Sequence, residues 1–197
     1  YMKTWTILVA AGEGFRFGSR KQLAELAGMP VLLHSTISAS SVSDGIVVVT
    51  ADEDIEVVES YLKSINQVHE VVKGGATRSE SVRCGLERVP HDCEMVIVHD
   101  GVRPLASQEL FESVVGKIKD GAEAVVPVVS IADSLRSVNG KQINRDEVVS
   151  VQTPQAFKAP LLREAYLSGE DATDDASLVE LVGGTIDFVD GDISNLK

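Results

Sequence analysis

Apolar positions along this chain fall into short β-branched runs, separated by longer stretches in which they recur every three or four residues. Thr6–Ala10 predicts a first buried strand and Gly45–Thr50 a second. Runs that are apolar at nearly every position suit strands covered on both faces. Further strands are predicted over His69–Val72, Glu94–His99, Ala122–Val129 and Thr185–Val189. Helical spacing covers Val31–Ser41, opening after Pro30, then Asp52–Ser64 with Asp52 as N-cap, Thr77–Arg88, and Ser107 to Lys119. Two more helices are expected over Pro160–Ser168 and Asp174–Val182, with Thr173 as the cap of the second. Strand and helix in alternation imply an α/β fold, a mostly parallel sheet with helices on both faces.

The rhythm breaks at Ser130. Ser130–Ser150 holds two short runs around Asn139-Gly140, a hairpin turn signal. An isolated hairpin is marginal in water, so an arm at about residues 130–152 should pack on something, most simply a second subunit. The alternative is an arm folded back on its own domain. No repeat, low-complexity tract or linker divides the chain, which reads as a single domain over 1–197.

Charge sharpens this picture. With 18 basic and 30 acidic residues the net charge is −12, which disfavours nucleic acid or an anionic membrane as partner. An anionic ligand would therefore need basic residues gathered locally. Cys84 and Cys93 form no metal-ligand or redox pair, so a reducing cytoplasm is the expectation. No apolar run approaches a membrane span and no signal peptide is visible; Tyr1 before Met2 reads as a tag remnant, with Met2 the natural start.

The gathering of cations occurs directly after the first strand. Ala10-Ala11-Gly12-Glu13-Gly14-Phe15-Arg16-Phe17-Gly18-Ser19-Arg20-Lys21-Gln22 is a glycine-rich loop carrying Arg16, Arg20 and Lys21. Glycines let backbone N–H groups approach phosphate, and loops at the carboxyl ends of strands are where open α/β sheets bind ligands. The loop is neither a P-loop, because no Lys-Ser/Thr pair follows Gly18, nor a dinucleotide fingerprint, because Gly12, Gly14 and Gly18 are one residue too widely spaced.

A second motif, Gly74-Gly75-Ala76-Thr77-Arg78-Ser79-Glu80-Ser81, ends a strand and opens a helix, with Thr77 and Glu80 spaced as a capping box. The helix start favours an anionic or carbonyl ligand group. Arg78 opposes the helix dipole, so a carboxylate or a ligand phosphate should compensate it. In a third motif, Val96-Ile97-Val98-His99-Asp100-Gly101-Val102-Arg103-Pro104, Asp100 could bond ribose, approach a metal or orient a cation. Arg103 could grip a phosphate or pair with Asp100, and His99 reads as a packed residue. A fourth stretch runs from Asn144-Arg145 to Thr153-Pro154-Gln155-Ala156-Phe157, and Ala172-Thr173-Asp174-Asp175-Ala176-Ser177 follows. No zinc spacing or nucleophile elbow is present.

In this order the motifs closely resemble the 2-C-methyl-D-erythritol 4-phosphate cytidylyltransferase family, over nearly the whole chain. The resemblance implies a Rossmann-like nucleotidyltransferase fold with a protruding β-hairpin arm, and a homodimer joined by that arm. It implies transfer of CMP from CTP to methylerythritol phosphate with Mg²⁺, releasing pyrophosphate, in non-mevalonate isoprenoid biosynthesis. By motif, Arg16, Lys21, Asp100 and Lys197 would form the catalytic set. Ala10, Ala11, Gly12, Gly14, Gly75, Arg78 and Ser81 would bind the nucleotide. Arg103, Ser134, Arg145, Thr153 and Thr173 would bind the polyol phosphate, Ser134 and Arg145 from the partner subunit. No side chain is implied as a metal ligand.

The chain departs from the family pattern in four places. Arg20 replaces a frequent proline, Ala76 stands where an acid is common, Ser134 stands where threonine is common, and the sequence stops at Lys197 where relatives usually continue. Truncation is the expectation from the last. Two alternatives remain at this point: a CTP:D-ribitol 5-phosphate cytidylyltransferase, and a catalytically silent nucleotide-binding homologue.

Overall fold

A computed structural model describes residues 1–12, 20–170, 172 and 174–197. From the N-terminus, β1 is Thr4–Ala10, β2 Glu25–Leu26, β3 Met29–Pro30, α1 Val31–Ser40, β4 Gly45–Thr50, α2 Ile55–Leu62, β5 Val68–Lys73 and α3 Arg78–Leu86. Then come β6 Met95–Asp100, α4 Gln108–Lys119, β7 Ala124–Ser130, β8 Leu135–Arg136, β9 Gln142–Ile143, β10 Val149–Val151 and β11 Gln155–Lys158. The chain closes with α5 Ala159–Leu167, α6 Asp175–Leu181 and β12 Ile186–Asp190.

One central sheet is linked by hydrogen bonds along the path β10-β7-β11-β6-β1-β4-β5, with β12 on the other side of β7 from both β10 and β11. β1 pairs in parallel with both β4 and β6, and β4 with β5. Side chains alternate across this sheet as strand geometry requires. Ile7 of β1 joins a core with Val82, Leu86, Leu162 and Leu178, under α3, α5 and α6. Leu8 joins the opposite core with Leu32, Val58, Phe111 and Val114, under α1, α2 and α4. This is the mixed α/β architecture, mainly parallel, that the alternating pattern implies.

Several elements differ from expectation. The helix read over Asp52–Ser64 is a 3₁₀ turn, Asp52–Asp54, running into the shorter α2, and Asp52 caps nothing. Its carboxylate instead meets Lys73 Nζ at 3.1 Å. Asp174 caps α6: its Oδ1 accepts from the Ser177 N–H at 3.0 Å. Thr173 lies outside the described residues. β2 and β3 form a small hairpin turning through Ala27 and Gly28, both at positive φ (50° and 82°), the signature of a tight primed turn.

The largest omission is β11. It lies antiparallel between β6 and β7, so the right half of the sheet is mixed. β10 pairs with the far end of β7. Since β12 also pairs with β7 there, β10 and β11 occupy the same side of β7 and are parted by a break at Gln152–Pro154. Within the predicted arm, Asn139-Gly140 turns a short β8–β9 hairpin with Gly140 at φ 87°, but the two ends of the 130–152 span, Ser130 of β7 and Val149–Val151 of β10, pair in the central sheet.

Candidate active site

Ala10, Thr50, Lys73 and Asp100 end four mutually parallel strands at one edge of the sheet. β1 is flanked on both sides by later strands, the arrangement that opens a crevice at strand carboxyl ends. A cavity of about 600 Å³ lies there, within the range of small-ligand sites. Its described lining includes Ala10, Ala11, Gly12, Lys21, Gly75, Arg78, Ser81, Asp100 and Lys197.

The floor depends on close backbone approach. A Cβ at Gly74 would stand 2.5 Å from Ala11 Cβ, and one at Gly75 would stand 2.3 Å from Glu80 Cβ. The predicted capping box is formed: the Glu80 N–H donates to Thr77 Oγ1 at 3.1 Å and the Thr77 N–H returns to Glu80 Oε2 at 3.3 Å. Glu80 Oε2 also accepts from Ala76 N–H at 2.6 Å. The Ala76 and Thr77 amides are thus taken by an internal carboxylate. Ser81 Oγ donates to Thr77 O at 2.9 Å and accepts from Gly75 N–H at 3.2 Å, so its hydroxyl shapes the glycine turn.

Asp100 is the electrostatic hub. It is buried, yet Arg78 Nε stands 3.4 Å from one oxygen, and Arg103 Nε and Lys197 Nζ stand 3.2 and 3.1 Å from the other. Burial alone would raise its pKa; the Lys197, Arg78 and Arg103 charges outweigh that and hold it at about 2. Arg78 has a second partner, Asp175 Oδ2, at 2.8 Å, and Asp175 also receives the Tyr166 hydroxyl. Burial opposes the Arg78 charge, but Asp175 and then Asp100 sustain it. The compensation expected for Arg78 is therefore two carboxylates. Arg78 Nη1 is buried with no hydrogen-bond partner among the described residues.

Behind Asp100, the Thr153 hydroxyl accepts from the Asp100 N–H and contacts His99 Nδ1, both at 3.0 Å. His99 is fully buried, its ring edge-on to Phe111 at 5.0 Å. Burial lowers its pKa to about 4, so it is neutral at physiological pH and shares one hydrogen bond with the hydroxyl through Nδ1. His99 is the packed residue it was expected to be. Thr153, expected on substrate, is 4% exposed and its hydroxyl is committed to the β6 end.

Arg103 also stands behind the hub, donating from Nη1 to Asn195 O at 2.7 Å. Arg20 points away from the cavity, to Glu53 at 2.5 Å and to buried Asp54. Ser134 and Arg145 are exposed on the arm, and neither lines the cavity; Arg145 Nη1 donates to Ala132 O at 2.5 Å. Gly14, Arg16 and Thr173 fall outside the described residues. Sequence reading missed Asp175, although the demand for a carboxylate opposite Arg78 and the Asp174-Asp175 pair were both visible.

The profile of the 2-C-methyl-D-erythritol 4-phosphate cytidylyltransferase (IspD) family matches residues 4–197. The chain belongs to that family. A cytidylyltransferase of this name from Saccharopolyspora erythraea is 36% identical over 209 residues, covering 100% of this chain and 93% of that protein. A bifunctional IspD/IspF enzyme from Oleidesulfovibrio alaskensis is 34% identical over 218 residues, and the chain spans 55% of its length. The crystal structure of 4-diphosphocytidyl-2C-methyl-D-erythritol synthase from Anaerococcus prevotii superposes with a TM-score of 0.88 at 30% identity, covering 100% of this chain and 90% of that one. The IspD fold is thus the fold of this chain. Among the described residues, no helix is long and apolar enough to cross a membrane.

Proposed function

We propose that this chain transfers CMP from CTP to 2-C-methyl-D-erythritol 4-phosphate, releasing pyrophosphate, as a step of isoprenoid biosynthesis. The observation that carries the reading is the cavity at the strand ends, where Lys21, Arg78 and Lys197 converge in a chain of net charge −12. The substrate phosphate, with a second pKa of about 6, is largely a dianion at neutral pH and needs no general base. Its oxygen attacks the α-phosphorus of CTP; the bond from that phosphorus to the β-bridging oxygen breaks, and pyrophosphate carries the electron pair away. The obstacles are repulsion between anions and charge accumulating on the phosphoryl oxygens, which fixed cations relieve. The partnerless Arg78 Nη1 is a ready donor, since a buried unmet N–H is costly until a ligand or water meets it.

The described residues do not form a metal site of their own. They contain no group of three His, Cys, Asp or Glu placed to hold an ion, and Asp100, the carboxylate lining the cavity, already faces three cations. Magnesium therefore enters this proposal with the substrate, as the counter-ion on the triphosphate oxygens. The arm supports a homodimer. β10 is exposed with Val149 and Val151 on one face, Ile143 and Val138 are exposed nearby in sequence, and among the described residues Arg145 meets the Ala132 carbonyl and the neighbouring Asp146. In the dimer, Ser134 and Arg145 would serve the partner's polyol-phosphate pocket. A reducing cytoplasm suits the two free cysteines.

The test is pyrophosphate release from CTP and Mg²⁺, with methylerythritol phosphate and ribitol 5-phosphate in parallel. Release with methylerythritol phosphate alone is expected. Release with ribitol 5-phosphate alone would move the chain's activity to that polyol, and CTP binding with neither release would leave a binding protein.

A further inference from the structure

Lys197 reaches Asp100 from the end of a turn, Asp192–Asn195, that follows β12. A lysine whose side chain is half exposed beyond the last strand would ordinarily be held loosely. This turn is fastened by a buried amide cluster that the proposed chemistry does not use. Gln152, at the break between β10 and β11, is 6% exposed, and Asn195 is 1% exposed.

Gln152 acts on the turn with both ends of its amide. Its Oε1 accepts from the Asp192 N–H at 3.1 Å and from Asn195 Nδ2 at 3.3 Å. Its Nε2 donates to Asp192 O at 2.7 Å. Asn195 Nδ2 donates in turn to Thr153 O at 2.9 Å, while Asn195 O receives Arg103 Nη1. The approach leaves no spare room: a Cβ on Gly191 would stand 2.7 Å from Gln152 Oε1. The break in the strand places Gln152 and Thr153 side by side. Thr153 fixes the Asp100 backbone through its hydroxyl and the turn through its carbonyl.

We infer that Gln152 and Asn195 are positioning residues, which set the Lys197 ammonium over Asp100 at the mouth of the nucleotide cavity. The role rests on the proposal that Lys197 contacts the reacting phosphates. A side chain held on such a bonded turn keeps its geometry through turnover, and misplacing a catalytic group by about 1 Å can cost up to 10²-fold.

The test is a double-mutant cycle with Gln152→Ala and Lys197→Ala, together with amide hydrogen exchange on each protein. Gln152→Ala should lower kcat on the order of tenfold, with KM for CTP changed less than about threefold, and do nothing further in the Lys197→Ala background. The Asp192 and Asn195 amides should exchange at least about tenfold faster, with β1 unchanged. Asn195→Ala should reproduce both effects and add little to Gln152→Ala. Equal loss of kcat with or without Lys197 would overturn the inference, as would unaltered exchange in the turn. If Lys197→Ala alone proved silent, the reading of Lys197 would fall, while the exchange data would still decide whether Gln152 holds the turn.

Discussion

The cavity edge and the arm carry the same kind of charge in opposite settings. At the cavity, Arg78 lies between Asp175 and Asp100, and Lys197 and Arg103 share Asp100. Each cation has an internal counter-charge, and Asp100 and Asp175 are buried. On the arm, Arg145 is exposed and bonded to the Ala132 carbonyl. β8 and β9 form a separate two-stranded piece, and every residue of β10 is exposed. The first region is preorganised by the folding of one chain. The second is a small, exposed two-stranded piece, which is the kind of segment the proposed dimer would cover.

The sharpest way to break this contrast is at the cavity. Lys21→Ala should lower kcat on the order of 10²–10³-fold, as loss of one oxyanion donor does. A change below about threefold in steady-state turnover would remove Lys21 from the chemistry. Asp175→Ala should cost about 3 kcal/mol in urea unfolding, because it strips a counter-charge from a largely buried guanidinium and the acceptor from Tyr166. A cost under about 1 kcal/mol would mean that Arg78 simply turns to water.

Acid should act on the cavity in two stages. His99 has its folded pKa lowered from 6.5 to about 4, so between those values the unfolded chain takes a proton that the folded chain refuses. Stability should fall over that window. Asp100 is depressed from 3.8 to about 2, and its contribution, present above 3.8, should be lost as pH drops further toward 2. Urea midpoints followed from pH 7 downward should show the first loss beginning near 6.5; a flat profile to pH 4.5 would contradict the burial of a neutral His99.

The arm should behave differently. Arg145→Ala should raise KM for the polyol phosphate about tenfold, leave KM for CTP within about twofold, and change stability by under about 0.5 kcal/mol, as exposed substitutions do. An equal effect on both substrates would place Arg145 in a general structural role.

Much of this was legible in the residues. β4 matches its predicted limits because its whole run is apolar and bounded by Gly45. The Thr77–Glu80 capping box could be read from spacing alone. β11 could not, because four residues beginning with a glutamine after a proline carry no period of their own; their strand character comes from the partners β6 and β7. At the site, charged residues near the glycine turns were visible, but their pairing was not. Asp175, Gln152 and Asn195 act through neighbours more than 40 residues away in sequence, as in Gln152 with Asn195, or across helices, as in Arg78 with Asp175. Thr153 and Arg103, read from their motifs as substrate contacts, also bond within the protein, to the Asp100 amide and the Asn195 carbonyl.

The central claim is the proposal that the cavity of one chain is served by the arm of another. Mixing the Lys21→Ala and Arg145→Ala proteins under conditions that exchange subunits tests it most directly. With the polyol phosphate held well below its KM, where Arg145→Ala alone keeps about a tenth of the turnover, the account predicts restored turnover at about a quarter of the unmutated protein, since half of a random C₂ mixture is heterodimer and each heterodimer has one intact site. A mixture no more active than the mean of its two parents would show that Arg145 serves its own chain, or no site at all.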